Sequence, residues 1–302
     1  MSNLHVIIPC APHDVPFLKR CVESVTLSLN DLFLRKSLIV REAVINVIFD
    51  GAVGNPELVF ETEQKARPEV RTTYTVLEKA SGAAIARNVA LGEAEPEDYV
   101  AFVDADDVVF PWCYWTRLNA WVDASQDGVT NPFIYTQCMH IFPDPNTKKI
   151  LKVVRELPTA ENIRGWLEQQ NMLLTTSVLT QAKHLQAAGG FEPNMICGED
   201  GCLWRRVVGL NGECTPVPIP LVTHSYTVRQ ESQWRRLHKA HQDMYHLEPP
   251  KHGPMGQALD GAAKIRGLSA KDATSVENRI AALGGPILTV GGPAQEFGFK
   301  NT

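Results

Sequence analysis

The chain has 302 residues, 44% of them hydrophobic and 21% charged, with a formal net charge of −5. This excludes a disordered, collagen-like or small disulfide-stapled chain and leaves room for one large domain or two joined ones. The mild acidity argues against bulk-charge attachment to nucleic acid or anionic lipid, and no apolar run approaches the roughly 18 residues of a membrane span.

The first three residues enter a strand-like run without the basic start and apolar stretch of a secretion signal. A cytoplasmic chain is therefore expected, with peripheral attachment at a membrane as the alternative. The seven cysteines are odd in number and form no C-x-x-C pair. Cys197, Cys202 and Cys214 with His224 fit no usual zinc spacing, so reduced core cysteines are expected.

The first 110 residues alternate strand and helix. His5–Ile8 predicts a strand ending at Pro9, and Asp14 caps a helix opening at Pro16, with Leu18, Val22, Val25 and Leu29 on one face. Val44–Phe49 predicts a second strand, stopped by Asp50-Gly51. Asn55-Pro56 predicts a helix to about Ala66, Thr73–Leu77 a third strand, and Ala83–Leu91 a small-residue helix after Ser81-Gly82. Tyr99–Val103 predicts a fourth, buried strand, ended by Asp104-Ala105-Asp106-Asp107. Repeated βαβ units imply a parallel sheet with helices on both faces, which binds ligands beyond the carboxyl ends of its strands. Pro9, Asp50, residues 78–81 and 104–107 all fall at those ends.

Pro111–Val122 predicts a helix whose Trp112, Trp115 and Trp121 suit core packing. Strands are expected over Phe133–Phe142 and Ile150–Val154, joined by a Pro- and Asn-containing turn. A helix over Ala160–Gln169, a short strand over Thr175–Val178 and a helix over Gln181–Ala188, stopped by Gly189-Gly190, follow. Gly198-Glu199-Asp200-Gly201 reads as a loop ahead of a helix at Leu203–Leu210, and Val217–Tyr226 as extended. Beyond Val228 two helices are expected, Glu231–Leu247 and Ser269–Leu283. The basic, aromatic Trp234–Lys239 stretch suits a solvated amphipathic helix or contact with an anionic acceptor or membrane.

Three acids within residues 104–107 repel one another unless a cation sits among them. A divalent cation shared with phosphate oxygens would answer that, and a capped, solvated turn is the plain alternative. Glu199 and Asp200 suit a general base or an N-cap. The small residues after Ser81 suit close approach of a phosphate or tight helix–sheet packing, and His224 alone reads as structural.

Taken in order, H-V-I-I-P-C, V-I-F-D-G, S-G-A-A-I-A-R-N, V-A-F-V-D-A-D-D, A-A-G-G-F, G-E-D-G-C-L-W and a later T-H resemble the family 2 glycosyltransferases, over about His5 to Tyr226. The resemblance implies an α/β GT-A fold, with a Rossmann-like, mostly parallel central sheet covered on both faces. It divides residues 1–226 into a nucleotide-binding half (1–107) and an acceptor half (108–226); the helical C-terminal extension expected over 227–302 lies beyond the resemblance. It also implies metal-dependent, inverting transfer from a nucleotide sugar, a UDP-sugar by preference, with Mn²⁺ or Mg²⁺ as cofactor.

Carried over residue by residue, Pro9, Asp50, Ser81, Arg87, Asp104 and Ala105 would line the nucleotide, Asp50 reading the base. Asp106 would hold the metal, with His224 as a further ligand, and Asp200 would be the general base. Phe49 and Ala52 depart from the usual pattern, which bears on base recognition, and Cys202 stands where an acid frequently follows the E-D pair. The lack of a Q-x-x-R-W motif and of membrane helices argues against a processive synthase. A glycan, a lipid-linked saccharide, a protein or a modified nucleobase in DNA would all suit as acceptor. A nucleotidyltransferase would show a Gly-rich basic loop after the first strand, where this chain reads Cys-Ala-Pro-His. A non-catalytic nucleotide-sugar binder would not need Asp106, Asp200 and His224.

Overall fold

The computed structural model describes residues 1–36, 39–51, 66–143, 150–154, 157–169, 173–193, 195, 198–209 and 212–229. The expected helix at 55–66, the 144–149 turn, Ala52, Cys197 and the helical extension from residue 230 onward lie outside these.

In chain order the elements are β1 (Ser2–Cys10), α1 (Val15–Leu34), β2 (Val40–Asp50), β3 (Val70–Leu77), α2 (Ala83–Leu91), β4 (Tyr99–Phe102), β5 (Val108–Val109) and α3 (Cys113–Gln126). These are followed by β6 (Pro132–Pro143), β7 (Ile150–Val154), α4 (Ile163–Gln169), a 3-10 turn (Thr175–Ser177), β8 (Val178–Gln181), α5 (Ala182–Ala187), α6 (Glu199–Val208) and β9 (Thr215–Thr227). Asp14 occupies the N-cap position of α1 but makes no side-chain cap bond.

The strands lie in the order β3-β2-β1-β4-β8-β6-β9-β5. The β3-β2-β1-β4 half is parallel, as the βαβ alternation predicts. Beyond it β8 pairs antiparallel with β4 and with β6, and β5 antiparallel with β9, so the sheet is mixed. The chain divides into two compact units, one of Met1–Cys138 with Glu156–Ser225 and one of Met139–Arg155 with Tyr226–Thr302. In the second unit, β7 pairs antiparallel with Met139–Pro143 of β6.

Side chains alternate across the first unit's sheet because successive Cβ atoms point to opposite faces. Leu4, Val6 and Ile8 of β1 join Leu18, Val22, Val25 and Leu29 of α1 in one core, which also takes Leu118 of α3. Ile7, Val100 and Phe102 enter the opposite core with Ala86 and Ala90 of α2 and Trp204 of α6. Both faces are thus covered, and the central strands bury nearly every residue.

Two expectations need correction. Thr175–Ser177 is a 3-10 turn, and the strand begins only at Val178. Helix α6 starts at Glu199, so the acid pair lies in its first turn. The loop reading missed this because Gly198 and Gly201 look like breakers. Gly198 does break the chain (φ +77°), a left-handed conformation that suits glycine, whereas Gly201 lies buried inside the helix.

Candidate active site

Parallel register aligns the carboxyl ends of the first strands. Cys10 lies opposite Phe49, Asp50 opposite Leu77, and Ile7 opposite Phe102. Pro9 falls two residues beyond the last β1–β4 pair, where a strand tolerates a residue without an N–H.

Asp50 ends β2, and its carboxylate accepts the backbone N–H of Ser81 at 2.5 Å and of Gly82 at 2.8 Å. It therefore holds the turn that leads into α2. Ser81 donates its hydroxyl to the Lys79 carbonyl at 3.0 Å.

Arg87, at mid-helix in α2, is buried at 4% exposure. Its Nη2 meets Asp104 Oδ1 at 2.7 Å and its Nη1 meets Glu199 Oε1 at 2.7 Å. The guanidinium also lies over the Phe191 ring, 5.2 Å from the centroid. Burial alone would push Arg87 down. The charges of Asp104, Glu199 and Asp200 outweigh it and hold the group above its ordinary value. Asn88, the next residue, pairs with the Phe191 backbone, accepting its N–H and donating to its carbonyl, each at 2.8 Å. A Cβ on Gly190 would lie 2.6 Å from Asn88 Oδ1, and Gly190 also has φ +68°. The A-R-N and G-G-F segments thus close a single joint, which accounts for the glycine.

The turn after β4 carries the remaining acids. Asp104 keeps a third of its side chain exposed, Ala105 is buried, and Asp106 is 9% exposed. The Asp106 carbonyl accepts Arg20 Nη2 at 2.9 Å, the Asp104 carbonyl accepts the Cys21 thiol at 3.5 Å, and Asp107 Oδ2 accepts the Thr176 hydroxyl at 2.9 Å. Asp107 is wholly buried, which separates it from the other two.

Asp200 sits in the first turn of α6, where the helix dipole favours a carboxylate. Its Oδ1 accepts the Gly201 N–H at 2.7 Å and its Oδ2 the Thr175 hydroxyl at 3.4 Å.

His224 is completely buried on β9. Its Nδ1 lies 3.3 Å from Thr223 Oγ1 and 3.5 Å from Arg117 Nη2, and its Nε2 lies 3.4 Å from Ser177 Oγ.

Behind these acids lies Arg117 of α3, with no exposed surface, which sequence reasoning missed. The two hydrogens of its Nη2 are shared among the Thr176 carbonyl at 2.6 Å, Thr223 Oγ1 at 2.8 Å and Thr136 Oγ1 at 3.1 Å. Among the described residues, Arg117 Nε and Nη1 and the Tyr114 hydroxyl meet no hydrogen-bond partner. An arginine on an aromatic helix gives no sequence signal of this kind. Asn88 and Glu199 did lie inside quoted motifs, but their partners are remote in the chain.

Among the described residues, no three His, Cys, Asp or Glu side chains gather as a ready-made cation site. The described cysteines are free, and all but the half-buried Cys202 are buried. Burial pushes the Cys10 and Cys214 thiols up to about 12. No helix among the described residues is long and apolar enough to cross a membrane.

Comparison with known proteins agrees with this architecture. The crystal structure of S. aureus TarS 1–349 in complex with UDP is similar at 18% identity and a TM-score of 0.52, over 76% of this chain and 62% of that one. S. aureus TarS 1–349 in complex with UDP-GlcNAc gives 16% identity and a TM-score of 0.50, over 77% and 60%. The crystal structure of S. aureus TarS gives 16% and 0.53, over 79% and 39%. This chain therefore spans less than two thirds of those chains. The likeness establishes the GT-A fold. A search of the curated proteins found no match. The sequence profile described as glycosyl transferase family 2 matches residues 5–185, more than half of the length, so the chain belongs to glycosyl transferase family 2.

Proposed function

We propose that the chain transfers a sugar from a nucleotide-sugar donor, a UDP-sugar by first preference, to an acceptor hydroxyl with inversion at the anomeric carbon. Residues 1–107 would bind the donor and 108–226 the acceptor. The observation that carries this is the buried Arg87 bridge, which joins Asp104 of the D-x-D turn to Glu199 beside Asp200 through two 2.7 Å contacts. Structures of TarS with UDP and with UDP-GlcNAc support the choice of donor.

In this reading Pro9, Asp50, Ser81, Arg87, Asp104 and Ala105 line the nucleotide. Both Asp50 oxygens already accept one N–H, yet each keeps a lone pair for a base N–H. Asp200 accepts the proton of the acceptor hydroxyl as its oxygen attacks the anomeric carbon. The attack comes from the face opposite the diphosphate, which departs with the electron pair of the broken bond.

The donor set suits Mg²⁺ or Mn²⁺. Asp106 offers hard oxygen, and such ions bind through one or two carboxylates together with substrate phosphates. With few protein carboxylates at hand, the ion would owe most of its ligands to the diphosphate and water. His224 is the second candidate ligand, at the cost of its contact with Ser177. When bound, the cation stabilises the charge of the leaving diphosphate as a Lewis acid.

Calorimetric titration with UDP, GDP, CDP and dTDP, each with Mn²⁺ and with EDTA, tests the reading. Binding of UDP that weakens at least tenfold on chelation is expected. Absence of binding by all four nucleotides would refute it.

A further inference from the structure

Glu199 carries no assigned role, yet its surroundings are those of a machine part. Its carboxylate, 16% exposed, meets the Arg87 guanidinium at 2.7 Å, and the other arm of that guanidinium meets Asp104 at 2.7 Å. The Arg87–Glu199 arm of this bridge is largely shielded from water, so its attraction is weakly screened and its geometry closely fixed.

Three contacts fix where Arg87 stands. It belongs to the regular helix α2, its guanidinium lies over the Phe191 ring, and Asn88 clamps the Phe191 backbone from the next position. The guanidinium is therefore a rigid fork with one prong on the turn after β4 and one on the start of α6. Asp200 is the residue after Glu199 and shares the first turn of α6. Asp200 also accepts the Thr175 hydroxyl at 3.4 Å and the adjacent Gly201 N–H at 2.7 Å. Moving Glu199 off Arg87 would let this turn shift and carry the Asp200 carboxylate with it.

We propose that Glu199 is a positioning residue for transfer, holding Asp200 at a fixed distance from the donor through Arg87. The inference rests on the proposed function, since it assumes Asp200 to be the base. It predicts a split between binding and turnover. Glu199 touches no part of the donor in this scheme, so its loss should spare nucleotide affinity and strike the chemical step.

The test uses the full chain as wild type, Glu199→Gln, Arg87→Lys and the double variant. UDP affinity is read by calorimetry with Mn²⁺, and kcat and KM from release of UDP from UDP-GlcNAc and a panel of other nucleotide sugars. Glu199→Gln should keep its UDP Kd and donor KM within about threefold of wild type while kcat falls about 10- to 100-fold, the scale of a misplacement of about 1 Å. In the Arg87→Lys background the same substitution should cost at most a few-fold, because the bridge is already broken. A kcat for Glu199→Gln equal to wild type, or fully multiplicative losses in the double variant, would overturn the inference and leave the proposed function standing. A wild type that neither binds UDP nor turns over any nucleotide sugar would overturn both. Thermal melting of each variant supplies the control, since a loss of folding would lower all parameters together rather than kcat alone.

Discussion

Replacing Asp50 by asparagine removes one charge and leaves the shape of the side chain unchanged. The Asp50 carboxylate takes the Ser81 N–H at 2.5 Å and the Gly82 N–H at 2.8 Å and is 6% exposed. An asparagine offers one oxygen, so its amide nitrogen must face the second N–H, donor against donor. The surviving bond falls from charge-assisted to neutral strength, a loss of about 1 kcal/mol, and the stranded buried donor costs about 1–3 kcal/mol more. Asp50→Asn should therefore destabilise the fold by about 2–4 kcal/mol, or lower its melting temperature by about 5–15 °C. Urea denaturation with the m-value held equal measures this directly. A change below about 0.5 kcal/mol would refute the claim that Asp50 holds the Ser81-Gly82 turn. UDP calorimetry on the same protein addresses the other half of the argument. Unchanged UDP affinity beside the full loss of stability would confine Asp50 to the turn and remove it from base recognition.

Asn88→Ala deletes both bonds to the Phe191 backbone and should cost about 2–4 kcal/mol in the same denaturation assay; a loss under about 0.5 kcal/mol would show the joint to be dispensable. Asp200→Asn should hold its UDP affinity within about threefold of wild type while transfer falls about 10²- to 10⁴-fold, and transfer near the wild-type rate would remove Asp200 as the base. Burial holds His5 below its ordinary 6.5, although Asp98 at 3.1 Å and Glu93 pull it up while Arg71 adds to the lowering. The unfolded chain then binds the proton more readily than the folded one. The His5 contribution should be complete above pH 6.5 and be lost as pH falls through the folded value. Denaturation midpoints measured from pH 7.5 to 5 should fall, and His5→Gln should flatten the slope. An equal slope in the variant would contradict the assignment.

The parallel half of the fold was legible because its strands are continuous apolar runs and its helices carry apolar stripes. Ala83–Leu91 is predicted and observed with identical ends, and Ile150–Val154 likewise. Reading failed where tertiary contacts decide. The two-residue β5 exists only through its pairing with Ser225 and His224, more than a hundred residues away. Thr175–Ser177 is rich in β-formers yet turns as a 3-10 segment, with Thr176 bonded to Asp107 and its carbonyl held by Arg117. The acidic turn at 104–107 and the Glu199-Asp200 pair were visible as motifs. Their connection was not, since Arg87 lies 112 residues from Glu199.

That connection changes how the acidic motifs should be understood. Sequence reasoning saw repelling carboxylates at 104–107 and invoked a divalent cation to hold them. The structure supplies part of that positive charge from the protein itself, because Arg87 meets Asp104 directly and feels Glu199 and Asp200 as well. A guanidinium is permanently charged, so this share of the balance does not vary with pH or metal supply. Asp106 is not part of that bridge, and in the proposed function it would take an exchangeable ion shared with a diphosphate. The two cations would then have separable duties. Arg87 would fix the turn after β4 against the start of α6, and the metal would answer the charge that develops only as the sugar leaves. Chelation should accordingly weaken diphosphate binding without lowering the stability of the nucleotide-free chain, whereas loss of Arg87 should damage both. A metal-free chain that melts as readily as an Arg87 variant would show that the division of labour is wrong.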